Sequence, residues 1–180
     1  TIQKQLSGYK SRVKHLLHCH GVELPERFSK KQTHWSRAFI TWLKTDVRLM
    51  SDTRASLDLL IKQVEVLRGT LLEATRQLRK MSQTERYKHR HDLLRTIPGI
   101  GLIVTMCILT EVCDIKRFHN DNEFAAYLGL IPTSHSSGEK TVHGEKTFRG
   151  NKQLGPMIIE AAWITIGRDA GLGAQYFQYK

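Results

Sequence analysis

Between Leu57 and Met81 the apolar residues fall alternately three and four apart: Leu57, Leu60, Val64, Leu67, Leu71, Ala74, Leu78 and Met81. A sustained spacing of this kind is the mark of a helix that keeps one narrow stripe turned toward a partner. Leu57, Val64, Leu71 and Leu78 occupy one heptad register and the others the second. At about 1.5 Å per residue the stripe runs on the order of 40 Å. The chain is therefore built around one long helix, with Ser51 or Asp52 placed to cap it. The stripe needs something to lie against. A coiled coil with a second copy satisfies it, and so does packing against the first helices of the same chain. Ile61 widens the stripe, and the flanking positions lack the paired charges that would dictate a partner.

The remaining elements also read as helices. Residues 2–20 form a basic amphipathic pattern with Leu6, Val13, Leu16 and Leu17 on one side, and Gly21 fits its end. Pro25 and the stretch 29–31 read as a basic connector. Trp35, Phe39, Trp42 and Leu43 recur at helical spacing, as an aromatic stripe for a core rather than a platform for bases. Residues 102–112 are an apolar helix. Asn120 and Glu123 form a capping box for a short helix over 121–128. Pro156 suits the first turn of a final helix, which residues 169–173 should break. No convincing set of strands is visible, although a short hairpin within 141–147 is compatible with the pattern. The expected fold is mainly α: a long coiled-coil helix joined to a compact helical domain.

The chain has 180 residues and a formal net charge of +11, which favours polyanionic partners and nucleic acid above all. From Arg76 to Arg95 the surface turns basic, with Arg79, Lys80, Arg86, Lys88 and Arg90 between them. Cys19, Cys107 and Cys113 have no disulfide-framework spacing and read as buried, reduced thiols of a cytosolic protein. No apolar run is long enough to span a bilayer and no signal peptide is visible, so no membrane partner is expected. The chain begins at Thr1 within a helical pattern and ends at Lys180 directly after aromatic residues, and so reads as a piece of something longer.

The basic run leads into Leu94-x-x-Ile97-Pro98-Gly99-Ile100-Gly101-x-x-x-Thr105, which has the shape of a helix-hairpin-helix turn. Glycines there let the backbone bend without a Cβ in the way of a ligand. The amides of Gly99 and Gly101 would sit at a helix start, where unpaired N–H groups and the helix dipole attract a phosphate. Such contact positions a strand without reading its sequence. A plain tight turn between helices is the alternative.

Residues 129–154, GLIPTSHSSGEKTVHGEKTFRGNKQL, are polar, basic and rich in hydroxyls and glycine. Ordinary connections run about 4–6 residues, so a segment this long calls for a function or a structure of its own. Ser134, Ser136 and Ser137 lie beside His135, His143, Lys140, Lys146 and Arg149, groups able to hold a phosphate and offset charge growing on it. Glu139 and Glu145 are solitary, and on spacing alone a solvated loop serine is the better reading. His18-Cys19-His20 lacks a second ligand pair at a suitable spacing for a metal.

Several ordered blocks, TIPGIGLIVTMCILTEVCDIKRF, FAAYLGLIP, SSGEK, FRGNKQL and IIEAAW, resemble the C-terminal domain of the DEDD insertion-sequence transposases, relatives of the Piv site-specific DNA invertases. The resemblance covers roughly residues 93–180. It implies an N-terminal RuvC-like domain whose carboxylates bind a divalent metal (magnesium), then a coiled coil, then a serine-bearing domain. The composite active site would take its carboxylates and its serine from different subunits. In such proteins the serine forms a covalent link with a DNA strand, and a structured guide RNA pairs with target and donor DNA. Carried over, the nucleophile falls on Ser137, with Ser136 as the second choice. The basic and Gly-Asn block falls on Lys146, Arg149, Gly150, Asn151 and Lys152. Relatives carry a leucine-arginine pair near the start of the final helix, whereas here Leu154 precedes Gly155 and Pro156, so the helix is expected to begin at Pro156.

The resemblance divides the chain into a helical tail of a truncated domain (1–50), a coiled-coil connector (51–92) and a C-terminal transposase domain (93–180). Its expected function is that part of a DNA transposase which supplies a serine for strand cleavage and rejoining. Pro98, Gly99, Gly101, Lys140, Lys146, Arg149, Asn151 and Lys152 would contact nucleic acid. No cofactor is expected within the fragment, and metal only in the longer protein. DNA, a guide RNA and a second copy of the chain are the expected partners, in the bacterial cytoplasm at the nucleoid. A non-catalytic nucleic-acid-binding and dimerisation module is the rival reading, and a structural helical adaptor the third.

Overall fold

The computed structural model describes residues 1–30, 33–137, 140–146 and 150–178; over 132–137 and 140–146 the description is of the backbone. The chain divides into two compact units, residues 1–76 and 77–180. The fold is mainly α.

In the first unit α1 (Ile2–Cys19) is followed by a 3-10 turn (Glu26–Phe28), α2 (Arg37–Thr45) and the first part of α3 (Ser51–Ser82). Gly21 ends α1 with φ of +64°. The expected aromatic stripe is core. Phe39 and Leu43 are fully buried and Trp42 nearly so, and Phe28 meets Phe39 edge-on with ring centroids 5.2 Å apart. Val13 and Leu17 of α1 and Leu57 and Ile61 of α3 close the same cluster. Each such side chain contributes roughly 1.5–3 kcal/mol by leaving water. Arg54 ties the end of α2 to α3. Its Nη1 donates to the carbonyls of Leu43 (2.8 Å) and Val47 (3.1 Å), while its other nitrogens hold Asp58.

The cap expected at Ser51 or Asp52 lies differently. Ser51 is already helical, and the Met50 carbonyl takes the first bond, from the Arg54 amide at 2.8 Å. The heptad seam divides along its length. Leu57, Ile61 and Val64 are buried, whereas Leu67, Leu71, Leu78 and Met81 are half-buried and Ala74 is exposed. The first stretch thus packs within its own chain, and the later one keeps its apolar edge partly open.

The connector expected over 51–92 is not one helix. α3 stops at Ser82, and α4 (Glu85–Leu94) begins after Gln83 and Thr84. The hydroxyls of Ser82 and Thr84 donate to the carbonyls of Arg79 (2.8 Å) and Met81 (2.7 Å), giving the backbone an alternative to continuing the helix. After α4 come α5 (Leu102–Glu111), a 3-10 turn (Ile115–Arg117), α6 (Asp121–Leu128), the antiparallel ribbon β1 (Pro132–Ser137) and β2 (Lys140–Lys146), α7 (Leu154–Ile166) and α8 (Ala170–Gln178). In this second unit α4 packs on α5, α5 on α7 and α7 on α8.

Several local expectations shift. The Asn120 side chain caps α6 through the Glu123 amide (2.9 Å), but the Glu123 carboxylate reaches back to the His119 amide (2.9 Å), one residue beyond a standard capping box. The final helix starts at Leu154, two residues before Pro156. Residues 169–173 do not simply interrupt it: Asp169 Oδ1 accepts from the Leu172 amide (3.0 Å) and opens α8, which contains Gly171 and Gly173. Cys113, with φ of +60°, is exposed, as is Cys19; Cys107 is half-buried. The expectation of buried thiols fails at the first two because they lie at the ends of their helices. Burial raises the pKa of the Cys107 thiol, with the Glu111 carboxylate adding to the effect. No described helix is long and apolar enough to cross a membrane.

Candidate nucleic-acid interface

The proline-glycine turn joins α4 to α5 and lies against α7. Gly99 takes φ of +86°, and a Cβ there would stand 2.4 Å from the Ala161 carbonyl oxygen. The Thr165 hydroxyl is shared between the carbonyls of Pro98 and Ala161. Gly99 is thus required by the fold itself, through its backbone conformation and through close contact with α7. Gly101 is the N-cap of α5 and supplies no side-chain cap. The Thr105 amide makes the first helical bond, to the Gly101 carbonyl at 2.9 Å. The amides of Gly101, Leu102 and Ile103 find no acceptor among the described residues. These are the open donors that an anion at a helix start would take. Arg86, Lys88, Arg90 and Arg95 are exposed on and just after α4, and none makes an ion pair among the described residues.

The long polar segment contains the ribbon β1–β2, larger than the hairpin considered over 141–147. Ser137 pairs with Lys140, Ser136 with Thr141, His135 with Val142 and Ser134 with His143. Successive positions alternate between the two faces of a ribbon. The Ser137–Lys140 pair and the Ser136–Thr141 pair therefore belong to opposite faces. Lys146 pairs with Pro132, past a register shift. Arg149 lies outside the described residues.

The base of this ribbon is fastened at glycines. Gly129 ends α6 with φ of +71°, its amide bonding the Ala126 carbonyl and the Leu130 amide bonding that of Ala125, a Schellman arrangement. A Cβ on Gly150 would stand 2.2 Å from the Gly129 backbone, so the two ends of the segment touch. Asn151 locks the closure. Its amide donates to the Tyr127 carbonyl (2.8 Å), its Oδ1 accepts from the amides of Gln153 (3.0 Å) and Leu154 (2.8 Å), and its Nδ2 reaches the Tyr127 hydroxyl (3.2 Å) and the Glu111 carboxylate (3.4 Å). The Asn151 side chain thus starts α7 and joins it to α5 and α6. Lys152, beside it, is exposed.

Sequence spacing alone did not single out Arg117. Its guanidinium lies 4.7 Å from the ring centroids of both Phe118 and Tyr127, and so sits next to the fastened base. No pattern flags it, because its partners come from two different elements. Among the described residues no group of three or more His, Cys, Asp or Glu side chains comes together to hold a metal ion. The described part of this site offers cations and backbone donors.

Residues 91–178 match the model of the transposase IS116/IS110/IS902 family. The chain is 36% identical over 69 residues to a transposase for insertion sequence element IS1111A of Coxiella burnetii, an alignment covering 38% of this chain and 19% of that protein. It is 29% identical over 122 residues to the transposase for insertion sequence element IS1328 of Yersinia enterocolitica, covering 68% of this chain and 34% of the relative. A pilin gene-inverting protein of Moraxella bovis is 34% identical over 88 residues, covering 47% and 27%. The chain thus spans between about a fifth and a third of the length of these relatives. These similarities support the transposase and DNA-recombination family expected from the ordered sequence blocks. No solved structure gives a significant match.

Proposed function

We propose that this chain is the C-terminal portion of a DNA transposase, and that its second unit presents a serine to a DNA strand held by cations and helix-start amides. The match of residues 91–178 to a transposase family carries the reading. The fastened ribbon, with Ser137 paired to Lys140, supports Ser137 over Ser136 as the nucleophile. In the step we assign to it, a bond forms between the serine oxygen and a backbone phosphorus. One phosphorus–oxygen ester bond to a sugar breaks, and the serine proton ends on the departing sugar oxygen. Lys140, Lys146 and Arg149 would offset charge on the phosphate. The Pro98–Gly101 turn and Lys152 would hold the adjoining backbone, through contacts insensitive to base sequence. Magnesium would be bound by carboxylates outside this chain, and guide RNA and a second copy would complete the assembly. The half-open end of the seam, at Leu78 and Met81, is where that second copy would lie. On this reading the isolated chain binds nucleic acid but does not recombine it.

The test is to trap a covalent protein–DNA adduct in the full-length protein. The adduct should vanish in Ser137→Ala and persist in Ser134→Ala. An adduct that survives Ser137→Ala and disappears in Ser136→Ala would move the chemistry to the other face of the ribbon. No adduct in the parent protein would favour the non-catalytic binding module.

A further inference from the structure

The first unit, outside the matched segment, has a groove of about 660 Å³ between α1, the residues ahead of α2, and α3. That volume lies within the range of about 300–1,000 Å³ usual for small-ligand clefts. Its wall carries Lys10, His34, Trp35 and Arg68, with Lys14 at its edge. Arg27, Lys44, Arg54 and Arg76 of this unit are paired with carboxylates, whereas exposed cations such as Arg37, Arg48 and Lys62 are not, among the described residues. Lys10, Lys14 and Arg68 make no ion pair among the described residues.

They are nonetheless held in place. Arg68 Nη1 donates to the Trp35 carbonyl at 2.7 Å. His34 Nε2 lies 2.7 Å from the Phe28 carbonyl, which can only accept, so that nitrogen carries the proton. Nδ1 is then free to accept from Lys14 Nζ at 2.9 Å. The Lys10 ammonium lies 5.6 Å from the centroid of the Trp35 ring. Its pKa is lowered by burial and then by the positive charges of Arg68 and Lys14. Trp35 itself adopts φ of +69°, a left-handed conformation costing a side chain of this size roughly 1–2 kcal/mol. Backbone strain of this kind persists where the surroundings enforce it, often at binding sites.

We infer that this groove binds one nucleotide unit of a single-stranded nucleic acid, its phosphate between Lys10, Lys14 and Arg68 and its base against the Trp35 indole. The juxtaposed cations lack an anion, and the half-buried indole supplies the aromatic face that single strands use and stacked duplexes withhold. The inference takes from the proposed function only that nucleic acid is the partner, and it does not depend on Ser137.

The test uses the whole 180-residue chain and labelled mixed-sequence oligonucleotides: single-stranded DNA, single-stranded RNA and duplex DNA. Lys10→Gln/Arg68→Gln should weaken single-strand binding about tenfold or more, and lower the slope of log affinity against log salt by about 1.4, at about 0.7 per lost contact. The matched pair Arg48→Gln/Lys62→Gln, on exposed residues of the same unit, should change affinity less than about twofold, as expected for cations that touch no phosphate. Lys10→Gln/Lys14→Gln keeps the Arg68 bond to Trp35 and repeats the test without risk to that anchor. Equal binding of both single strands assigns the backbone; preference for RNA adds the 2′-hydroxyl. A loss no greater than in the matched pair, or a groove-dependent preference for duplex, overturns the inference. These measurements read single-strand affinity and not adduct formation, so failure of the adduct test and failure of this one are separable.

Discussion

The two units hold themselves together by different means. In residues 1–76 bulky side chains interlock: Phe28, Phe39, Trp42, Leu43, Leu57 and Ile61 fill one cluster. In residues 77–180 the buried cluster is small, with Val112, Leu128 and Leu154 at its centre, and backbones approach each other at glycines instead. The first arrangement is sensitive to lost volume, the second to added volume. The difference follows the sequence, since the second unit places glycine at Gly99, Gly129, Gly150 and Gly155, where elements meet.

The largest expected effect is in the first unit. Phe39→Ala should cost about 3–5 kcal/mol, because a fully buried ring contacting Phe28, Trp35 and Trp42 leaves a cavity. Denaturant unfolding followed by circular dichroism reads it, and a loss under about 1 kcal/mol would mean the cluster is not what stabilises this unit. In the second unit Gly150→Ala should cost about 1–3 kcal/mol, since its methyl would meet the Gly129 backbone. Gly99→Ala should cost somewhat more, as the strained φ adds to the clash. Amide exchange should localise both losses to residues 77–180; a neutral Gly150→Ala would break the contrast between the units. Asn151→Ala should cost about 1–2 kcal/mol by uncapping α7, visible as faster exchange at the Gln153 and Leu154 amides. The smallest effect concerns pH. The His119 amide and ring hold the Glu123 carboxyl below its ordinary range. Its contribution is present above the normal carboxylate pKa and is lost as pH falls through the lowered value. The protection of the His119 amide, its exchange rate taken relative to the intrinsic rate at each pH, should fall on acidification in the parent and show no such fall in Glu123→Gln.

Periodicity revealed most of the helices, because each keeps one face turned inward: α1, the aromatic part of α2, and α3 from Leu57 onward all read directly. Local capping chemistry showed α6 through Asn120. Residues 83–84 escaped because the heptad spacing of Leu78 and Met81 runs up to the break, and only the hydroxyls of Ser82 and Thr84 mark it. The ribbon escaped because its strands are polar and show no alternation of hydrophobicity. At the candidate site, Gly99 and Gly101 were legible as a turn, but the contact with Ala161 depends on a helix about sixty residues away. Asn151 looked like a contact for nucleic acid, whereas its hydrogen bonds reach α5, α6 and α7, which no linear pattern relates. The groove of Lys10, His34, Trp35 and Arg68 was equally hidden, since three separate segments supply it.

The touching of Gly129 and Gly150 has a consequence for how such a chain can vary. Once both ends of an excursion are clamped in the body of the domain, the entropy of closing it is largely settled, and each doubling of what lies between adds only about 0.6 kcal/mol. The arms of the ribbon could therefore be lengthened or shortened, with Ser137 and Lys140 kept at the tip, while the helices beneath keep their register. Variation in reach or substrate preference could accumulate there without endangering the scaffold.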